Sequence, residues 1–145
     1  MVRSYSKDLA LLVARVALGV VFVAHGGQKL FTWGVSGTAD AFAGMGVPAP
    51  QVSALFAALV EFGAGAALVL GVVTPVAGLL LALDMLGAFL IVHAGNGVFI
   101  DGGGFELVAA LGAGALVLAA TGPGRVSVDH AIASRSRTAE LSETS

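Results

Sequence analysis

Residues 9–31, LALLVARVALGVVFVAHGGQKLF, decide the fold class of this sequence. The segment is almost continuously apolar and is close to the ~20 residues that a helix needs to cross the ~30 Å hydrocarbon core of a bilayer. It is too long for the apolar region of a typical secretory signal, and no small-x-small cleavage pattern follows, so we expect it in the mature protein. His25, Gln28 and Lys29 appear close together near its end. The segment predicts a transmembrane helix with strong hydrogen-bonding groups at one end.

The composition also indicates a membrane protein of one domain. Of the 145 residues, 57% are hydrophobic and 11% are charged, and the mean hydropathy is +0.96. Soluble domains contain roughly 45–50% apolar residues. The net charge of -2 provides no basic surface, so we expect no nucleic-acid partner. The chain has no cysteine, which excludes a disulfide, a thiolate metal ligand and an iron–sulfur site of its own.

Three further apolar segments, residues 52–73, 76–94 and 105–121, have a similar length. They are too long and too continuously apolar for barrel strands of ~10 residues. We therefore predict an all-α fold, an integral membrane four-helix transmembrane bundle, within a single domain of residues 1–130. Thr38 is expected to cap a short interfacial helix between the first two spans, with an ordered loop as the alternative. Residues 131–145 are predicted to form a polar, disordered cytoplasmic tail.

Positively charged residues indicate the orientation in the membrane. Arg3 and Lys7 precede the first span. Three arginines follow the fourth span: Arg125, Arg135 and Arg137. The loops after the first and third spans carry only Lys29, at a helix end. Because Lys and Arg concentrate in cytoplasmic loops, both termini are predicted to be cytoplasmic in a multi-pass protein of the cell (plasma or inner) membrane.

Seven ionisable side chains lie in or at the ends of the predicted spans: Arg15, His25, Lys29, Glu61, Asp84, His93 and Glu106. Such groups are costly in hydrocarbon and normally face the bundle interior, pair with one another or line a cavity. At ~1.5 Å per residue, Lys29, His93 and Asn96 fall near the outer face and Glu61 near mid-membrane. We expect Glu61 at the centre of a polar cluster, with Lys29 or His25 as its partner.

Asp84 and Arg15 are harder to place. Asp84 is nine residues before His93, which puts the two side chains on opposite sides of a regular helix and outside a shared cluster. The depth of Asp84 approaches that of Arg15, so these two residues could pair. Arg15 could instead extend its guanidinium to the cytoplasmic interface. The sequence does not decide between the two.

Small residues on the second span predict a helix contact. Gly63, Ala67 and Gly71 recur every fourth residue and therefore share a face. Without bulky side chains, another helix can approach such a face closely. We expect this contact within the chain or across a homo-oligomer.

In these features the chain resembles the DoxX family of small four-helix membrane proteins. The resemblance covers residues 9–130 and rests on the order and spacing of AHGGQKLF, GVPAPQVSALFAALVEFGAGAALVLGVVTP, FLIVHAGNGVF, GGGFE and GPGRVSVDH. The family takes its name from subunits associated with a thiosulfate:quinone oxidoreductase, and some members are linked to membrane redox and oxidative-stress complexes. Most members have no assigned reaction. Asp84 departs from the family pattern, in which this position is usually apolar.

The resemblance implies a set of ligand-binding residues: His25, Gln28, Lys29, Glu61, His93, Asn96 and Glu106. They would line a polar pocket that opens toward the outer leaflet and binds a quinone head group or a similar small molecule. Glu61, His25 and His93 are the candidates for a proton relay. We expect no metal and no covalent cofactor. A haem with His25 and His93 as axial ligands is a weaker alternative to a quinone. Such a protein would be part of a quinone-linked oxidoreductase complex rather than a self-sufficient enzyme.

Two other functions stay open. A buried glutamate with histidines also suits a transporter of a small solute or of protons, although four helices leave little room for alternating access. Alternatively, the polar residues fix the helix register of a structural or assembly subunit, with Lys29 at the interface and Glu106 at a helix start. In each case the chain contacts the lipid bilayer and docks protein partners in a membrane complex.

Overall fold

The fold is described for residues 2–143 by a computed structural model, with side chains described for residues 5–136. This part of the chain contains six α-helices and no strand. The α-helices are α1 (Val2–Gly27), α2 (Gly34–Gly44), α3 (Pro50–Leu70), α4 (Thr74–Ala88), α5 (Glu106–Thr121) and α6 (Val128–Glu143). α1 and α4 each continue as a π-helical turn, at Gln28–Thr32 and Phe89–His93. A short 3-10 turn, Ile100–Gly102, precedes α5.

α1 and α3 form an antiparallel pair in which glycines allow the backbones to touch. A Cβ atom on Gly65 would lie 2.9 Å from the backbone nitrogen of Val23 and 3.0 Å from the carbonyl oxygen of Gly19. Further along α1, Gly26 packs directly on the backbone of Phe62. A side chain at either glycine would push the helices apart, so the glycines of both helices set the distance between α1 and α3.

α4 and α5 form a second antiparallel pair of the same kind. A Cβ atom on Gly78 would lie 2.7 Å from the carbonyl oxygen of Ala115. The core between the two pairs is filled by buried apolar side chains from four helices, among them Phe22, Leu68, Leu81 and Leu118. Each pair thus supplies one side of a single hydrophobic core.

Three described helices are long and apolar enough to cross a membrane: Tyr5–Thr32, Pro50–Leu70 and Thr74–His93. These helices correspond to the first three predicted spans. The predicted fourth span is also helical and apolar, but α5 has only 16 residues. At 1.5 Å per residue, about 24 Å of helix would need a locally thin bilayer or flanking residues to complete the crossing.

α2 is the short helix predicted between the first two spans, but it begins at Gly34 rather than at a Thr38 cap. Gly34 has a φ of +71°, which lets the chain change direction after the π-helical turn. The Thr38 hydroxyl donates to the Gly34 carbonyl at 2.9 Å, and the side chain is 2% exposed. Thr38 is therefore a buried packing residue within the helix.

The predicted contact at Gly63 is wrong within the chain. Gly63 is exposed, and a Cβ atom there would have no neighbour within 4 Å. The reason is the helix period, since Gly63 lies about 200° around α3 from Gly65, the glycine that meets α1. Ala67 does pack against the core, and Gly71 is buried just beyond the end of α3. A contact of Gly63 across a homo-oligomer stays a prediction.

Val128–Glu143 forms α6, which overlaps the segment 131–145 predicted to be a disordered tail; residues 144–145 lie outside the described residues. Ser127 precedes the helix, and its hydroxyl accepts a hydrogen bond from the backbone nitrogen of His130 at 3.1 Å. Asp129 lies in the first turn, where a negative charge favours the helix dipole.

Arg15 is buried at the end of the bundle away from the π-helical turns. Its side chain is 2% exposed, and Nη1 donates to the carbonyls of Leu68 at 3.0 Å and Val69 at 2.9 Å. Nη2 donates to the carbonyl of Val126, just before α6. The Arg15–Asp84 pair considered above is therefore not formed, and the guanidinium is buried at this end of the bundle. The carbonyls at the end of α3 are its partners because a helix leaves its last carbonyls without partners of its own.

Asp129 completes this end of the bundle. Its carboxylate accepts hydrogen bonds from the backbone nitrogens of Val73 at 2.8 Å and Thr74 at 3.0 Å. These are donors at the start of α4, which the helix itself cannot satisfy. We call Arg15, Val126 and Asp129 the terminal clasp, since together they join α1, the turn between α3 and α4, and the C-terminal segment.

Candidate functional site

A cavity of about 580 Å³ lies at the other end of the bundle. Its wall is formed by residues of α1, α2, α3, α4 and α5. Most of the wall is apolar, for example Phe22, Met85 and Leu111. The titratable residues in the wall are His25, Lys29, Glu61, Asp84 and His93. The cavity therefore combines a hydrophobic body with a small number of convergent polar groups, as ligand sites do.

Lys29 and Glu61 form an ion pair in the wall of this cavity. Lys29 Nζ donates to Glu61 Oε2 at 2.6 Å, and the two side chains are 12% and 6% exposed. Of the two partners that the sequence allowed for Glu61, Lys29 is the one in contact. Removing either partner would leave the other charge buried and uncompensated, which is far more costly than losing a surface ion pair.

Asp84 also faces the cavity, contrary to the prediction that it lies outside the cluster. It is half-buried, and its carboxyl group lies within electrostatic range of Glu61 and Lys29. Nine residues turn a regular α-helix by about 180°, but the π-helical turn Phe89–His93 inserts an extra residue and rotates His93 back by roughly 100°. Asp84 and His93 consequently line the same cavity.

The two histidines in the wall are oriented by backbone carbonyls. His25 Nδ1 lies 2.9 Å from the carbonyl oxygen of Val21, and His93 Nδ1 lies 2.7 Å from that of Gly103. A carbonyl oxygen can only accept, so each Nδ1 carries the hydrogen. In the neutral imidazoles Nε2 is then left as an acceptor.

Three predicted site residues do not line the cavity: Gln28, Asn96 and Glu106. Gln28 is exposed on the π-helical turn that ends α1. Asn96 Nδ2 donates to the carbonyl of Val92 at 3.0 Å. Glu106 Oε1 accepts a hydrogen bond from the backbone nitrogen of Ile100 at 2.7 Å. Asn96 and Glu106 therefore stabilise the loop between α4 and α5, which carries the partner of His93.

The rim of the cavity is apolar and open to the surroundings. Phe56, Met45 and Val52 line it and are 52%, 45% and 69% exposed. In a bilayer, such exposed apolar side chains contact lipid rather than water. A ligand would have to pass this apolar rim to reach the polar side chains. The cavity therefore suits a molecule with a polar head and an apolar tail.

Within the described residues, no group of three or more His, Asp and Glu side chains is close enough to hold a metal ion. The polar groups of the cavity wall can form hydrogen bonds, carry charge and bind protons. Lys29 offers N–H donors, the carboxyls accept or share protons, and the imidazoles accept at Nε2.

Comparison with known proteins adds a family to this description. The model of the DoxX family matches residues 10–94. The chain is 31% identical over 130 residues to "Inner membrane protein YphA" of Escherichia coli (strain K12), covering 86% of this chain and 91% of that protein. It is 33% identical over 125 residues to "Inner membrane protein YqjF" of the same organism, covering 86% and 92%. No solved structure matches the chain.

A third relative carries a more specific name. "Putative oxidoreductase CatD" of Bacillus subtilis (strain 168) is 32% identical over 87 residues, which cover 60% of this chain and 62% of that protein. The family match spans more than half of the chain, and the Escherichia coli relatives match it over nearly their whole length. With three apolar helices of spanning length, the protein is a multi-pass protein of the cell membrane. The chain belongs to the DoxX family.

Proposed function

We propose that the protein is a membrane subunit of a redox-linked complex, and that its cavity binds the head group of a quinone or a similar lipid-soluble aromatic molecule. One observation carries the proposal: the Lys29–Glu61 pair and Asp84 converge in a single, otherwise apolar cavity of about 580 Å³. Small-molecule sites of roughly 300–1,000 Å³ have this composition.

The polar groups suit both the oxidised and the reduced form of a quinone. Lys29 has N–H donors beyond the one that Glu61 accepts, and a ring carbonyl can accept from them. The Nε2 atoms of neutral His25 and His93 are acceptors, which suit the hydroxyl groups of a reduced ring. The apolar rim would hold an isoprenoid or alkyl tail while the head reaches the polar wall.

Electrons would have to come from another subunit. The chain has no cysteine for an iron–sulfur site or a redox-active thiol, and the cavity residues can bind and move protons but not electrons. The name "Putative oxidoreductase CatD" of one relative agrees with a redox setting for this family. We therefore place the protein beside an electron-carrying partner, with the cavity as the quinone-binding part.

The proposal is tested by blocking the cavity. Ala88 lines the cavity, and Ala88→Phe would fill part of it with an aromatic ring. Ala110→Phe is the matched control, because Ala110 is exposed on α5 and does not line the cavity. Binding of a decyl-substituted benzoquinone to purified protein in detergent would be measured by titration calorimetry.

We expect binding by the wild type and the Ala110→Phe control, and at least tenfold weaker binding by Ala88→Phe. Glu61→Gln, which keeps the shape but removes the charge, should also weaken binding while the protein stays folded. Benzoquinone without a tail should bind more weakly than the decyl form. Equal binding by the two phenylalanine variants, or none by the wild type, would reject a quinone site in this cavity and favour a structural role.

A further inference from the structure

We infer that Glu61 and Asp84 form a paired-carboxyl site that binds one exchangeable proton beside Lys29. The site is made by three helices, since α1 supplies Lys29 through its π-helical turn, α3 supplies Glu61 and α4 supplies Asp84. The ligand is the proton itself. No quinone is needed to form the site, although its use in quinone chemistry rests on the proposed function.

The first argument is the position of the two carboxyl groups. Glu61 is 5% exposed, and Asp84 lies in the wall of the same cavity, within electrostatic range of Glu61. Two carboxylates cannot donate to each other, since each is acceptor-only when ionised. A hydrogen bond between them requires that one carboxyl group keep its proton.

The second argument is the charge balance. Lys29 is the cation paired with Glu61 at 2.6 Å, and it neutralises one carboxylate. A second carboxylate beside them would leave a net negative charge against an apolar wall, where charged groups are poorly solvated. One proton shared by Glu61 and Asp84 makes the three-residue group neutral.

The other titratable groups in the cavity wall are not paired with the two carboxyl groups. These are His25 on α1 and His93 at the end of α4, each of which donates its Nδ1–H to a backbone carbonyl rather than to a carboxylate. α2 and α5 contribute apolar side chains to the wall, such as Phe42, Leu107 and Val108. Asp84 is half-buried and faces the cavity, so its carboxyl group is accessible from the cavity.

Infrared difference spectroscopy tests the site on the protein alone. A protonated carboxyl group has a C=O stretching band that carboxylates and amides lack, and the band shifts when H₂O is replaced by D₂O. The protein would be measured in dodecyl maltoside, a detergent without ester groups, so that lipid carbonyls do not overlap with the band. A titration toward high pH should remove the band as the proton leaves.

The wild type is expected to show this band at neutral pH, and Asp84→Asn and Glu61→Gln should each abolish it. Glu106→Gln and Asp40→Asn are the matched controls, since both carboxyl groups lie outside the cavity, and both variants should keep the band. If Asp84→Asn does not fold, Asp84→Glu serves instead and should move the band without removing it. A wild type without the band, or an unchanged band in Asp84→Asn, would overturn the paired-carboxyl site. Loss of quinone binding with the band intact would reject only the proposed function.

Discussion

Arg15 is a cation buried between apolar helices, and backbone carbonyls satisfy its guanidinium group. Three backbone oxygens accept from its two terminal nitrogens, and two of them belong to the end of α3, where carbonyls lack helical partners. The carboxylate of Asp129 lies within electrostatic range but is occupied by backbone nitrogens of α4. The planar guanidinium is needed because its fork of donors reaches several carbonyls at once.

Arg15→Lys should therefore destabilise the protein even though it keeps the charge. A single ammonium group cannot reach the carbonyls of Val69 and Val126 together, and a carbonyl left without a donor costs about 1–3 kcal/mol. We expect the thermal unfolding midpoint in detergent to fall by several degrees. The control is Arg125→Lys on an exposed side chain, which should leave the midpoint unchanged. Equal midpoints for both variants would contradict the role given to Arg15.

At the scale of the helices, glycine position matters more than glycine content. Gly65 and Gly63 lie two residues apart on α3, yet one meets α1 and the other is open. Gly65→Ala places a methyl group 2.9 Å from Val23 N, and we expect a loss of about 1–3 kcal/mol from forced separation of the helices. Gly63→Ala should be neutral or stabilising by up to about 1 kcal/mol, because alanine is the better helix former.

Thermal unfolding of the two alanine variants in the same detergent measures this difference. A Gly65→Ala protein as stable as the wild type would show that α1 and α3 do not touch there. Gly63→Leu separately tests the remaining prediction of a homo-oligomer contact, since the added bulk should then shift the oligomeric state on size-exclusion chromatography. An unchanged oligomeric state would end that prediction.

The elements also show where sequence reasoning stops. Apolar length was enough to place α1, α3, α4 and α5, and depth counting was enough to bring Lys29 and Glu61 together. Asp84 was misplaced because hydropathy carries no sign of the π-helical turn that rotates His93. Similarly, small residues at intervals of four mark a face of α3 but do not say which neighbour, if any, covers it.

For the whole molecule, four spans with both termini cytoplasmic remain the predicted topology. The chain has no cysteine, so a single introduced cysteine gives a labelling signal without background. Ala133→Cys on α6 and Asp101→Cys before α5 are both exposed positions. A membrane-impermeant maleimide added to intact cells should label Asp101→Cys and leave Ala133→Cys unlabelled until the cells are opened. The reverse labelling pattern would show that the orientation is opposite to the predicted one. Labelling of both cysteines in intact cells would show that α5 does not cross the membrane.

The terminal clasp has a consequence for how the protein is made. Arg15 and Val126 are 111 residues apart in sequence, which corresponds to roughly 5–20 s of synthesis at about 5–20 residues per second. During that interval the guanidinium lacks at least one of its acceptors. A chain without Val126 would leave Nη2 of Arg15 without its partner, so truncation before this residue should lower the stability of the bundle.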